Sequence, residues 1–355
     1  MILRTPLTEL VGVKHPVVQT GMGWVAGAQL VSATANAGGL GILASATMTL
    51  DELATAIGKV KTATDKPFGV NIRADAGDAT DRVDLMISEG VKVASFALAP
   101  KKELISRLKD AGAVVIPSVG AAKHARKVAS WGADAVIVQG GEGGGHTGPV
   151  ATTLLLPSVL DALQDNPIPV VAAGGFFDGR GLAAALCYGA AGVAMGTRFL
   201  LTSDSTVPDA VKQRYLQAAL DGTVVTTRVD GMPHRVLRTG LVEKLESGSR
   251  AKGFTAAVRN AARFKKMSQL TWRSMISDGL AMRYGKELTW SQVVMAANTP
   301  MLLKAGLVEG NTEAGVLASG QVAGILEDLP SCAELIEAIV ADAIKHLQSA
   351  SALTE

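Results

Sequence analysis

The run Gln139-Gly-Gly-Glu142-Gly-Gly-Gly145-His146-Thr-Gly148 places an amide, a carboxylate and an imidazole on one glycine-rich loop directly after an apolar stretch. Imidazole titrates near neutrality, so His146 suits the taking and returning of a proton. Glu142 competes for the acid/base role, its alternative being hydrogen bonds that order the loop. The other histidines, His15, His124, His234 and His346, fall near a strand start, in helix patterns or in a hairpin pattern, and each reads as structural. Cys187 reads as packed on the apolar face of a helix.

Polar and glycine-rich strand ends recur. Gln19-Thr20-Gly21-Met22-Gly23, Val70-Asn71-Ile72-Arg73, Ala172-Ala173-Gly174-Gly175 and Met195-Gly196-Thr197-Arg198 each close an apolar run. Glycine lets backbone N–H groups come close to an anion, so Gly174, Gly175, Gly196 and Thr197 are candidate phosphate contacts. Tight turns are the alternative for both pairs. Asn71 and Gln139 end buried strands, where an unpaired amide costs about 1–3 kcal/mol. Each needs a side-chain partner or the polar edge of a heterocycle. Gly21-Met-Gly-Trp-Val-Ala26 fits G-x-G-x-x-[GA], but the next strand ends in Leu43-Ala44-Ser45-Ala46 with no acid for a ribose, so a Rossmann site is not indicated.

The elements that must position these groups alternate regularly. Strands are expected over Pro16–Thr20, Gly39–Ala44, Pro67–Ile72, Val91–Leu98, Ala113–Val119, Ala135–Gly140, Pro169–Gly175 and Gly192–Leu200. Helix-period segments such as Leu50–Thr62, Lys102–Ala111, Ala121–Trp131 and Gly179–Tyr188 lie between them. The strands are apolar on both faces and joined by crossovers, as in a parallel sheet. Eight such units predict an α/β (β/α)8 TIM barrel, whose functional groups gather at the C-terminal strand ends. The rhythm changes near residue 221. Thr223–Leu237 reads as a short hairpin turning at Asp230-Gly231, and helical patterns run on to about Lys304. The expected division is a cofactor-binding barrel over 1–220, a helical insertion or lid over 221–304, and a return to the barrel with a final helix over 305–355.

Across 355 residues, 34 basic and 32 acidic side chains leave a net charge of +2, so no nucleic acid or membrane partner is expected. Two cysteines suffice for neither a disulfide framework nor a zinc cluster, so no metal is expected and a reducing cytoplasm is the default. The start lacks a secretory layout. One segment departs from the overall balance. Arg228–Lys286 holds eight Arg and five Lys against four acids, a net charge near +9, which suits a ligand with several phosphoryl groups. A solvated surface or a contact in a homo-oligomer is the alternative.

Gln139-Gly-x-Glu142-x-Gly-Gly145-His146, Ala172-Ala-Gly-Gly175 and Met195-Gly-Thr-Arg-Phe199 resemble the nitronate monooxygenase family, a pattern shared with flavin-dependent enoyl-carrier-protein reductases. The resemblance implies a barrel holding FMN without a covalent link. Gly21, Met22, Gly23, Asn71, Gln139 and Gly140 would then meet the flavin, Gly174, Gly175, Gly196 and Thr197 its phosphate, and His146 would be the acid/base. Similarity over the whole chain, 221–304 included, extends to members of late steroid ring degradation. That implies α-proton abstraction from an indane-ring carboxyl-CoA thioester with hydride transfer to FMN, the enolate being met by backbone N–H groups of the 140–148 loop. Nitronate oxidation by O2, NAD(P)H-driven enoyl reduction and a non-enzymatic phosphate-binding barrel stay open. In place of the alanine usual after the family's loop glutamate stands Gly143.

Overall fold

In the computed structural model the described residues are 2–98, 100–247 and 290–353, with the side chains of 290–298 outside the description. Two units are distinguished by packing. Unit 1 comprises residues 1–143, 148–206 and 326–355; unit 2 comprises 144–147 and 207–325.

Unit 1 is a closed barrel of eight parallel strands, the TIM barrel expected from the alternation. The strands are β1 (Val17–Gln19), β2 (Leu40–Ala44), β3 (Phe68–Arg73), β4 (Val93–Ala97), β5 (Val114–Val119), β6 (Val136–Gln139), β8 (Val170–Ala173) and β9 (Gly192–Met195), with β9 pairing back onto β1. The strand β7 (Gly145–His146), which intervenes in the chain, belongs to unit 2. Helices α2 (Ala28–Asn36), α3 (Leu50–Ala63), α4 (Ala79–Ser88), α5 (Lys102–Asp110), α6 (Ala122–Ser130), α7 (Thr152–Ala162) and α8 (Gly179–Cys187) make the crossovers. Several begin where the sequence supplies a cap. Thr49 and Glu52 form a capping box on α3, and the Asp178 carboxylate accepts from Gly181 N–H at the start of α8.

The interior is filled by Val18, Leu40, Ile42, Val93, Ile116, Ile137, Val171 and Ala194. Leu7 and Val11 of α1 (Pro6–Val11) join that cluster, and Leu7 also packs beside Gly192 at the start of β9, so α1 closes the N-terminal end. Each fully buried aliphatic side chain contributes about 1.5–3 kcal/mol. After the second unit the chain returns as α13 (Cys332–Ser351), which packs on α8; a Cβ at Gly179 would sit 2.6 Å from Ile339 O, so glycine permits that close crossing. Arg198, only 4 % exposed, secures the return by donating to the Asp328 carboxylate (2.7 Å) and carbonyl (3.0 Å).

The last barrel strand is shorter than expected. It stops at Met195, and Thr197–Leu200 forms the one-turn helix α9 behind Gly196. The apolar residues Phe199 and Leu200 are buried as a helical turn, which a run of hydrophobic letters cannot distinguish from strand. Cys187 also departs from expectation: it is exposed at the end of α8.

Unit 2 holds α10 (Asp209–Leu216), the antiparallel strands β10 (Thr223–Thr226) and β11 (His234–Leu237), α11 (Gly240–Ser247) and α12 (Trp290–Leu307). β7 (Gly145–His146) adds to the free edge of β11, giving the order β10-β11-β7. Val229, Val236, Val242 and Val316 form its core. The hairpin is present, but Thr226 pairs with His234, so its loop runs through 227–233 and is no two-residue turn at Asp230-Gly231. Most of the basic Arg228–Lys286 segment lies outside the described residues, as do Trp272 and Tyr284.

Candidate active site

The barrel strands deliver the predicted residues to their C-terminal ends in register. Gln19 lies beside Met195, Asn71 between Ala44 and Ser95, and Gln139 beside Ala173. Gly21 is needed for close packing, since a Cβ there would lie 2.5 Å from Asn71 Cβ. Asn71 donates to Ser95 Oγ (3.2 Å), which satisfies part of its amide. The Gln19 side chain is fully buried; its Nε2 donates to the carbonyls of Thr20 and Ile42, and its Oε1 has no partner among the described residues.

The two phosphate candidates, Gly174-Gly175 and Gly196-Thr197, follow the ends of β8 and β9. Gly174 and Gly175 adopt φ of +95° and +84°, a conformation other residues rarely take. Gly196 precedes α9 and lies close to Thr20 and Met22, where a Cβ would come 3.2 Å from Thr20 Oγ1 and 3.4 Å from Met22 Sδ. Gly23 approaches Thr47. Gly140 packs against the backbone of Thr152, and Gly174 against Gly140 and Thr152, so the ends of β6 and β8 and the start of α7 form one tight layer. Thr197 follows at the first position of α9 and is buried.

Glu142 takes the loop-ordering role. Its carboxylate accepts from Thr152 N (3.0 and 3.2 Å) and from Thr152 Oγ1 (2.7 Å), and so caps α7, whose N-cap Ala151 offers no side-chain acceptor. Four of the N–H groups expected to meet an enolate are committed elsewhere. Those of Gly140, Gly141, Gly143 and Thr147 donate to the carbonyls of Ala173, Val150, Gly140 and Pro233. The loop is held by its own amides, and these four are not the enolate donors.

His146 is built into unit 2. Its Nε2 lies 2.6 Å from Asp230 Oδ2, and the same oxygen is 3.3 Å from His234 Nδ1. The two rings are 4.7 Å apart at an interplanar angle of 50°. The side chain of His146 is 48 % exposed, that of Asp230 only 4 %. Burial alone would raise the Asp230 carboxyl, but the imidazole N–H bonds of His146 and His234 outweigh it and hold the group well below the usual carboxylate range. The three groups also lie within 4.8 Å of one another, close enough to gather round a cation, although each nitrogen facing Asp230 is at hydrogen-bonding distance. Sequence reasoning missed both partners: it took His234 as structural and Asp230 as a turn residue.

Residues 4–342 match the family model described as nitronate monooxygenase. The chain belongs to the nitronate monooxygenase family. It is thus an oxidoreductase, and within that family it is 86 % identical, over 355 residues and the full length of both chains, to the (3aS,4S,5R,7aS)-5-hydroxy-7a-methyl-1-oxo-octahydro-1H-indene-4-carboxyl-CoA dehydrogenase of Mycobacterium tuberculosis. The Rhodococcus jostii protein of the same name is 72 % identical over 351 residues, 99 % of each chain. Among solved structures, FabK from Thermotoga maritima aligns over 99 % of both chains with a TM-score of 0.81 and 34 % identity. Gly143, between the loop glutamate and histidine, has a structural consequence. A Cβ at position 143 would lie 2.6 Å from Gln139 Nε2, so the Gln139 side chain occupies space that alanine would take.

Proposed function

We propose that the chain is an FMN-dependent dehydrogenase of late steroid ring degradation, acting in the cytoplasm on an indane-ring carboxyl-CoA thioester. The observation that carries this reading is 86 % identity, end to end, with the M. tuberculosis protein of that named activity. The donor set suits the cofactor. The left-handed Gly174 and Gly175, with Gly196 and Thr197, would hold the phosphate, and Gly21, Met22, Gly23, Asn71, Gln139 and Gly140 would line the ring. When bound, FMN supplies the two-electron acceptor for the hydride leaving the carbon β to the thioester.

The protein's own part is proton transfer. His146 accepts the proton α to the thioester carbonyl, and the buried Asp230 carboxylate stabilises the imidazolium that results. The substrate's CoA phosphates would meet the basic 221–304 segment.

The test is anaerobic mixing of the FMN-loaded protein with the CoA thioester. His146→Ala should keep FMN yet slow flavin reduction about 10²–10⁴-fold. Flavin reduction by NAD(P)H alone, or O2 uptake with an alkyl nitronate and none with the thioester, would assign the protein to a different reaction of the family.

A further inference from the structure

His146 and His234 meet because β7 and β11 pair antiparallel with these two residues directly opposite. The 227–233 loop then brings Asp230 back onto the pair. Met232 N–H donates to Asp230 Oδ1 at 3.1 Å, a local turn that fixes the carboxylate and leaves Oδ2 to face both rings. A carboxylate can only accept, so each ring nitrogen facing Oδ2 must carry a hydrogen. That places a proton on His146 Nε2 and another on His234 Nδ1.

The two rings differ in their surroundings. His234 is 3 % exposed, and its Nε2 is buried with no partner among the described residues. His146, half exposed and 2.6 Å from the carboxylate, is the ring with a side open to solvent.

We propose that Asp230 and His234 are positioning residues for His146. Asp230 fixes the ring with Nε2–H turned inward, so Nδ1 is the nitrogen that takes the substrate proton. His234, donating from Nδ1, supports the carboxylate from the other side and keeps it an acceptor. The inference rests on His146 being the acid/base of the proposed reaction. In that step the Cα–H bond breaks and an Nδ1–H bond forms, the electron pair stays on the thioester enolate, and the imidazolium charge lies beside Asp230.

Five histidines make the test tractable. Full-length protein isotope-labelled at histidine nitrogen reports each tautomer by two-bond nitrogen–proton correlation, with assignments from His146→Ala and His234→Phe. The expected spectrum has His146 protonated at Nε2 and His234 at Nδ1, and Asp230→Asn releases His146 from that tautomer. In anaerobic single turnovers of the FMN-loaded enzyme, Asp230→Asn slows flavin reduction about 10²–10⁴-fold with FMN affinity retained, and adding His146→Ala costs little more. An Nδ1-protonated His146 in the parent protein overturns the inference. So does an Asp230→Asn enzyme as fast as the parent while His146→Ala is slow, which leaves the acid/base reading standing. A fast His146→Ala enzyme instead sinks the reading beneath it. Stoichiometric metal in the purified protein, with activity lost on chelation and restored by the metal, would make these groups ligands and also overturn the inference.

Discussion

Replacing Gly143 with Ala adds one methyl group at a place already filled. The new Cβ would stand 2.6 Å from Gln139 Nε2, 2.8 Å from its Cγ and 2.9 Å from its Cδ, where ordinary contact begins at 3.4 Å. Gln139 must retreat by about 0.5–0.8 Å at three atoms. Because Cγ is among them, rotating the terminal amide alone does not relieve the overlap, and the side chain has to change its inner torsions. A displaced rotamer costs about 0.5–1.5 kcal/mol of stability. If Gln139 contacts the flavin as proposed, the lost hydrogen bond weakens FMN binding by about 0.5–1.5 kcal/mol, a rise in Kd of about 2- to 12-fold. Fluorescence titration of flavin-stripped protein measures the Kd, and the visible band of the bound flavin should shift as its polar contact changes. An unchanged Kd together with an unchanged band would refute the placement of Gln139 against the cofactor.

Other outcomes follow from the same geometry. Glu142→Gln weakens the charge-assisted cap on α7 and should lower stability by about 1–2 kcal/mol in denaturant unfolding, while solvent exchange of the substrate α-proton persists. Gly140→Ala places a Cβ inside the Thr152 side chain and 2.6 Å from Thr152 Cα, a backbone clash that should cost about 3 kcal/mol or more and lower the melting temperature markedly. Burial pushes the Cys332 thiol up to about 12, so native protein should take up one equivalent of alkylating reagent at Cys187 and a second only on unfolding. The sign of its pH effect is fixed: the unfolded thiol ionises first, so stability is intact below pH 9.0 and falls as pH rises from there toward about 12, a decline that Cys332→Ala should reduce.

The barrel was legible because its strands are buried on both faces and therefore written as unbroken apolar runs with polar or glycine ends. Asn71, Gln139, Gly174 and Gly196 could be placed at strand ends for the same reason. Phe199 and Leu200 misled, since apolar letters after Gly196 serve a helical turn as well as a strand. Asp230 and His234 were illegible for a different reason. Their chemistry depends on β7 pairing with β11 in one register, which brings Asp230 to His146 across 84 positions of chain, and nothing local in Val229-Asp230-Gly231 announces it. A glutamate four residues before a histidine looked like a rival base, yet its acceptor capacity goes to Thr152, a partner also fixed by folding.

The proposed reaction sends electrons from a CoA thioester to a flavin held in this barrel. Anaerobic addition of one equivalent of the hydroxy-oxo-octahydroindene-carboxyl-CoA thioester to the FMN-loaded protein tests it in a single spectrum. The oxidised flavin band should bleach, and the product should be lighter by two hydrogens. A band that persists with the thioester, in protein whose flavin is readily reduced by dithionite, would contradict it.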